Sequence, residues 1–211
     1  MKKLLVLLAS SLILGTANAA VIQFDISGLG ALGSSVLLGI DFVDGDGISN
    51  SVKVGNIKTD GVSSNIDLIG GASAVAGGFL LDDAYLYNSV SIEYLGADKL
   101  GFQLDLTNHA PAPGMFADTL TVYLLDAVTS LPLIFTDESL GLNALFSWTA
   151  TGSGQGDLAV YNPLDPLPVS WMAEFVSFGG SVPEPEGIWI VVQGILMLLA
   201  ASNIHAKRGR K

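Results

Sequence analysis

The amino-acid sequence predicts an all-β fold, a single antiparallel β-sandwich of jelly-roll-like topology that occupies residues 20–180 between two short terminal segments. Apolar and polar residues alternate with a period of two, most clearly from Leu100 to Leu106, and this pattern is typical of a strand with one wet face. Turn-forming clusters such as Asp44-Gly45-Asp46-Gly47 separate the alternating stretches. The chain contains no cysteine, so the predicted domain must be stabilised by its core rather than by disulfides.

The first nineteen residues predict a cleaved signal peptide. Met1–Lys3 is positively charged, Leu4–Leu14 is apolar, and Ala17 and Ala19 form a small-x-small cleavage site that leaves Ala20 as the mature N-terminus. The apolar stretch is too short to remain as a membrane-spanning helix. We therefore expect signal peptidase to be a partner and the domain to be exported across the inner membrane.

About ten short strands are predicted in the exported domain. The apolar stretches that define them are Ile22–Ile26, Leu38–Phe42, Val90–Tyr94, Leu100–Leu106, Leu120–Leu125, Leu133–Phe135, Ala144–Trp148, Leu158–Tyr161 and Val169–Phe175. The pattern of residues 72–86 leaves a helix open as an alternative. The glycine-rich stretch Gly152–Gly156 lacks the spacing of a dinucleotide or phosphate loop, so we interpret it as the turn of a hairpin.

The charge of the exported domain is strongly negative. Between Ala20 and Val182 the chain has three lysines, no arginine and eighteen aspartates and glutamates, a net charge of −15. Such a field repels nucleic acid and anionic lipid, so neither is expected as a partner. It is consistent with an acidic surface that maintains solubility and also with weak binding of divalent cations.

One acidic turn is a candidate calcium site. Asp44, Asp46 and Asn50 place three oxygen-bearing side chains within seven residues, and oxygen is the ligand that calcium prefers. Against this, Ile48 and Gly55 occupy positions where an EF-hand-type loop has ligands. These departures favour a β-turn in which the aspartates bind nearby backbone amides, with a calcium site as the alternative. Calcium is the only cofactor that the sequence suggests.

The sequence predicts no enzyme. The exported domain has a single histidine, His109, which lies beside a proline-rich loop and is expected to be exposed to solvent. The chain has no nucleophile-elbow motif, no zinc-protease motif and no cysteine nucleophile. We therefore assign no catalytic residue.

Binding of extracellular polysaccharide is the alternative function that the aromatic residues suggest. Trp148 and Trp171, with tyrosines 85, 87, 123 and 161, offer ring faces on which sugars stack. Both tryptophans also lie within apolar stretches, which favours core packing over ligand stacking. Exposure on a sheet face would favour binding, and burial between the sheets would favour a structural role.

Residues 181–211 contain three short elements in a fixed order. Val182-Pro183-Glu184-Pro185 comes first, and its two prolines favour an extended peptide with two fewer amide donors. The apolar segment Ile188–Ile204 follows, and as a helix its seventeen residues would rise about 25 Å, close to the length that spans a bilayer. Four cations, Lys207, Arg208, Arg210 and Lys211, come last and are expected to remain in the cytoplasm. A plain C-terminal anchor is the alternative interpretation.

This order resembles the PEP-CTERM sorting signal of Gram-negative bacteria. The resemblance implies recognition and cleavage near Pro183-Glu184-Pro185 by an exosortase, a membrane protease, after transient anchoring in the inner membrane. It also implies a final location at the cell surface or in the extracellular or biofilm matrix. The stretch Ile40–Gly47, with Ser51–Ile57 after it, is similar to the early part of a group of PEP-CTERM proteins of unknown function, which implies a shared sandwich and no known activity.

Overall fold

The computed structural model describes residues 18–176 of the 211-residue chain. The apolar part of the predicted signal peptide and the whole of the predicted sorting signal, from Val182 to Lys211, lie outside the described residues. Within residues 18–176, no helix has the length and apolar composition needed to cross a membrane.

The described part of the chain is all-β, as predicted, and contains no α-helix. A 3-10 turn covers Leu29–Ala31. Twelve strands form the rest of the regular structure: β1 (Asn18–Ser27), β2 (Ser35–Val43), β3 (Ser51–Thr59), β4 (Val62–Ile69), β5 (Ser73–Val75), β6 (Gly78–Asp82), β7 (Tyr87–Leu95), β8 (Lys99–Asn108), β9 (Thr119–Asp126), β10 (Phe146–Thr149), β11 (Asp157–Val160) and β12 (Ser170–Phe175).

The strands form two antiparallel six-stranded sheets that pack as a sandwich. Sheet A has the order β12-β1-β8-β3-β6-β5, and sheet B has the order β11-β10-β9-β2-β7-β4. Apolar residues at alternate positions of the central strands point between the sheets and are buried there. The ring centroid of Phe24 lies 4.8 Å from that of Phe102, which is also in sheet A, and 5.3 Å from that of Phe146 in sheet B, so the second contact joins the two sheets.

Residues 72–86 form a hairpin and not a helix, so the helical alternative is wrong. Strands β5 and β6 pair in antiparallel register across a tight turn at Gly77. Gly77 has φ of 80°, a left-handed conformation that glycine adopts without the steric cost that a side chain would bring. A glycine pair at 77 and 78 also disfavours a helix, because it adds backbone entropy to the unfolded chain.

Two further details differ from the sequence-based expectations. Residues 133–135 form no strand; isolated bridges at Pro132 and Thr136 flank them instead. Strand β4 was not predicted, because most of its residues are exposed and its polar and apolar residues do not alternate regularly.

The predicted signal cleavage point before Ala20 falls inside β1, which would retain residues 20–27 after cleavage.

The topology gathers four connections at one end of the sandwich. The last residue of β2, Val43, pairs there with the first residues of β7 and β9, which are Tyr87 and Thr119. Thr119 also pairs with the last residue of β10, Thr149. The β2–β3, β6–β7, β8–β9 and β10–β11 connections therefore emerge at this end. The last of these contains Gly152–Gly156 and joins two paired strands, which confirms the hairpin interpretation.

Candidate functional site

The β2–β3 and β8–β9 connections bring three carboxylates together, and we call Asp44, Asp46 and Asp118 the acidic cluster. One oxygen of each side chain lies within 4.8 Å of the others. Asp44 and Asp46 are half-buried, whereas Asp118 is only 1% exposed. The first two residues were predicted from the sequence, but Asp118 was not, because it is 72 positions from Asp46 and joins the cluster only through the pairing of β2 with β9.

Backbone amides bind the two half-buried members of the acidic cluster. Asp44 Oδ1 accepts hydrogen bonds from the amides of Asp46 (3.0 Å) and Gly47 (2.7 Å). Asp46 Oδ1 accepts from the amide of Ile48 (2.7 Å), and its Oδ2 accepts from the amide of Ala112 (2.7 Å). The bonds from Asp46, Gly47 and Ile48 are the local side-chain-to-backbone bonds that the turn interpretation predicts. The bond from Ala112 is long-range and ties the turn to the β8–β9 connection.

Asn50 connects the acidic cluster to the β8–β9 connection. Its Nδ2 donates to Asp118 Oδ2 at 2.7 Å, and its Oδ1 accepts from the backbone amide of His109 at 2.8 Å. Asn50 is only 3% exposed, so both of its amide atoms are committed to protein groups in a buried position. Asn50 therefore positions Asp118, and the carboxylates are the side chains that remain to hold an ion.

His109 is half-buried, so the expectation that it is exposed to solvent was wrong. Its Nδ1 lies 3.1 Å from Asn50 Oδ1, next to the bond that its own backbone amide makes to the same oxygen. The ring is thus held against a structural asparagine. This environment gives His109 a role in closing the β8–β9 connection.

Burial raises the pKa of Asp118. The negative charges of Asp46 and Asp44 raise it further, while hydrogen bonds from the Gly45 amide and from Asn50 oppose both effects. Three carboxylates at this separation favour either a bound proton or a bound cation, since both reduce their mutual repulsion. Their oxygen atoms are of the type that calcium prefers.

The two tryptophans have different environments. Trp148 is completely buried in the core, and its Nε1 donates to the carbonyl of Gln155 at 2.8 Å. Burial makes Trp148 a structural residue and removes it from the candidates for stacking on a ligand. Trp171 is half-buried at the edge of sheet A, where its Nε1 donates to the carbonyl of Leu145 at 3.2 Å.

Trp171 also lines a groove of about 570 Å³ that runs across β12, β1, β8 and β3. Lys58 and Lys99 lie in the same groove, and the third lysine of residues 18–176, Lys53, is also on β3. All the lysines of the described domain therefore belong to sheet A. Backbone amides of Lys99 and Asp98 lower the pKa of Asp60 at the margin of this groove.

The outer face of sheet B carries a second group of interacting side chains, Asp41, Tyr87, Ser89 and Tyr123, which we call the tyrosine face. Asp41 Oδ1 accepts from Ser89 Oγ at 2.7 Å, and its Oδ2 accepts from the Tyr123 hydroxyl at 3.0 Å. Burial is the main cause that raises the pKa of both tyrosines, and the charge of Asp41 raises them further. Both phenols are therefore neutral hydrogen-bonding groups at physiological pH.

Both tyrosines of this face were predicted from the sequence as candidates for stacking, but Asp41 was not. The alternation of apolar and polar residues already indicated that Asp41 points outward, because it lies on β2 between the buried Ile40 and Phe42. It could not be interpreted without the strand order that brings β9 and β7 to either side of β2.

No family model matches the chain, and searches of the curated proteins and of the solved structures found no match either.

Proposed function

We propose that the protein is an exported, exosortase-processed cell-surface or extracellular-matrix protein, whose β-sandwich has a structural or interaction role and no enzymatic activity. The observation that carries this proposal is the order of the proline motif, apolar segment and cations in residues 182–211. The last strand, β12, ends at Phe175, and six residues separate it from Val182. The motif thus follows directly after the folded domain, as a processing site should.

The domain itself supports a non-catalytic role. His109 is tied to Asn50, and the acidic cluster is bonded to backbone amides on most of its oxygens. The net charge of −15 is suited to solubility outside the cell.

The strand order supports a jelly-roll topology for the sandwich. Sheet A contains the run β1-β8-β3-β6 and sheet B the run β2-β7-β4, the orders that arise when one long antiparallel ribbon folds over itself. Strands β9–β12 extend both sheets beyond this unit. We infer that the additional strands widen the outer faces available to partners.

Mass spectrometry of the mature protein tests the proposed processing. In a host that contains an exosortase, we expect the N-terminus at Ala20 and a C-terminus at or near Pro183-Glu184-Pro185. Replacing Pro183 and Pro185 by alanine removes the φ restriction and restores two amide donors, so the segment can join the following helix and escape cleavage. Removing the four terminal cations should also cause accumulation of full-length, membrane-bound protein.

A reporter fused after Lys211 is the control for topology in a host without exosortase. It should be active only as a cytoplasmic enzyme, and alkaline phosphatase activity at that position would contradict the proposed orientation. Wild-type protein that keeps Lys211 in the exosortase-containing host would identify the tail as an ordinary anchor.

Recognition of extracellular polysaccharide is a second candidate function. The observation that favours it is the tyrosine face, where aromatic rings and a carboxylate lie together on an outer sheet surface. The buried Trp148 no longer contributes to this argument, and Trp171 contributes only through the groove of sheet A.

A further inference from the structure

We infer that the outer face of sheet B is a binding surface for a neutral polysaccharide, with Tyr123 and Tyr87 as the stacking residues and Asp41 as the hydroxyl acceptor. This inference rests on the second candidate function and assigns its site and ligand class.

Tyr123 lies along the sheet rather than projecting away from it. It is on β9 opposite Gly39 of β2, and a Cβ at Gly39 would lie 2.2 Å from Tyr123 Cε2 and 2.4 Å from its Cζ. The ring occupies the space that a side chain at position 39 would take. A ring held in this way covers the strand with one side and turns the other side toward solvent, and Tyr123 is half-buried accordingly. An exposed ring face of this kind offers apolar area to the C–H face of a sugar.

The side chain of Tyr87 approaches Asp41 from the opposite side of β2 to Tyr123. It begins β7, is 43% exposed, and its hydroxyl interacts with Asp41, Ser89 and Tyr123. Strands β7 and β9 are both neighbours of β2, so the two tyrosines start about 10 Å apart across the sheet. Tyr87 pairs with Val43 and Tyr123 with Gly39, so they are also offset by about 13 Å along the strands, with Asp41 midway between them. The two rings converge on Asp41 and form a strip that is longer than a single sugar ring. This length favours a chain of linked sugars as the ligand.

The polar residues around the strip are suited to sugar hydroxyls. Ser147, Thr121 and Asp41 are half-buried and in register on three adjacent strands, so two hydroxyl-bearing side chains and a carboxylate form one row across the sheet. Ser89, the next residue of this row, is buried and donates to Asp41, so it orients the carboxylate. Hydroxyl side chains both donate and accept, as sugar hydroxyls do. A carboxylate accepts short, strong hydrogen bonds from hydroxyl groups, and Asp41 already accepts two within the protein.

The distribution of charge selects a neutral ligand. All three lysines of residues 18–176 are on β3 and β8 of sheet A, so the described strands of sheet B contribute no cation to this face. An acidic polysaccharide would meet Asp41 and a domain of net charge −15 with no basic group nearby. A neutral polysaccharide meets no such repulsion.

Affinity electrophoresis of the full chain tests the inference, in a detergent without a sugar head group so that the detergent does not compete. The probes are a mixed-linkage glucan and a galactomannan as neutral polysaccharides, with alginate as the acidic comparison. We expect retardation by a neutral probe, and we expect Tyr123→Ala or Tyr87→Ala to weaken it by about tenfold through loss of a stacking ring. Tyr123→Phe keeps the ring and should retain most of the affinity.

Tyr85→Ala is the matched control, because Tyr85 is 61% exposed in the β6–β7 connection and does not belong to the strip. It should leave binding unchanged. Melting temperatures of all variants establish that each is folded, and Asp41→Asn, which keeps the shape of the side chain, should lose affinity even if an alanine variant does not fold.

The possible outcomes separate this inference from the function on which it rests. Neutral binding that survives Tyr123→Ala and Tyr87→Ala but is lost in Trp171→Ala would overturn the sheet B site and retain polysaccharide recognition. Binding of alginate alone would overturn the neutral class. Absence of binding to every probe would overturn both, while the processing experiment would still decide the proposed export and cleavage.

Discussion

Residues of the same type have different burial and hydrogen bonding at different positions in this protein. Asp118 and Asp165 are both aspartates in connections between strands, but Asp118 is 1% exposed and hydrogen-bonded to Asn50, whereas Asp165 is exposed. Burial raises the pKa of Asp118, because a charged carboxylate loses its hydration there. The same argument distinguishes the core residue Trp148 from the half-buried Trp171.

The calcium hypothesis makes a prediction about the acidic cluster. If the cluster binds calcium, a concentration about a hundredfold above the dissociation constant stabilises the folded state by about 2.7 kcal/mol, because the ion binds only that state. The melting temperature should rise accordingly, and Asp46→Ala should abolish the increment. Asp165→Asn is the control and should retain it. An identical melting curve with calcium and with chelator would leave only the turn interpretation.

Trp148 should be one of the most important residues for stability. Replacement by alanine removes a completely buried indole and leaves the Gln155 carbonyl without its partner, and changes of this type cost about 3–5 kcal/mol. Urea unfolding measures the loss as a shift of the midpoint. Trp171→Ala, at a half-buried edge position, should cost clearly less. Equal losses for the two variants would contradict the assignment of Trp148 to the core and Trp171 to the margin.

At the scale of elements, polar contacts on the outer faces hold neighbouring strands together. Glu93 on β7 is the clearest example, because its Oε1 accepts from Ser35 Oγ of β2 and its Oε2 accepts from Ser64 Oγ of β4, each at 2.8 Å. One carboxylate thus links three strands of sheet B. Strand β4 forms the exposed edge of that sheet, so this contact supports its least buried member.

The hydrogen bonds to Glu93 predict a pH dependence of stability. The bonds from Ser35 and Ser64 lower the pKa of Glu93 in the folded protein. The contribution of Glu93 to the free energy of unfolding is therefore complete above its pKa in the unfolded chain. It is lost as the pH falls through the lower pKa of the folded protein. Melting temperatures measured from pH 7 to pH 3 should fall less steeply for Glu93→Gln than for wild type. Parallel curves for the two proteins would contradict this role of Glu93.

At the scale of the whole molecule, charge and chemistry are divided between the two sheets. The lysines lie on sheet A with the groove beside Trp171, while the tyrosine face occupies sheet B. The acidic cluster lies at the end where four connections meet. A sandwich without disulfides thus presents three chemically distinct surfaces around one apolar core.

The all-β class and the approximate positions of most strands followed from the sequence, because alternation of apolar and polar side chains is a local property of an extended chain with one buried face. Strand β8 is the best example, since its predicted alternation matches its burial. Strand β4 was missed for the same reason, because an exposed edge strand needs no such pattern. The predicted export and processing also depend on local order alone, in residues 1–19 and 182–211.

Only the tertiary structure decided which distant residues meet. The pairing of β2 with β9 places Tyr123 over Gly39 and Asp118 beside Asp44, across separations of more than seventy residues. Register between such strands depends on the packing of the whole core, and the local pattern of either strand is compatible with several partners. The sequence by itself therefore determined the all-β class of this chain and predicts sorting signals at its ends, and the packing of the two sheets determined which surfaces of the sandwich carry its chemistry.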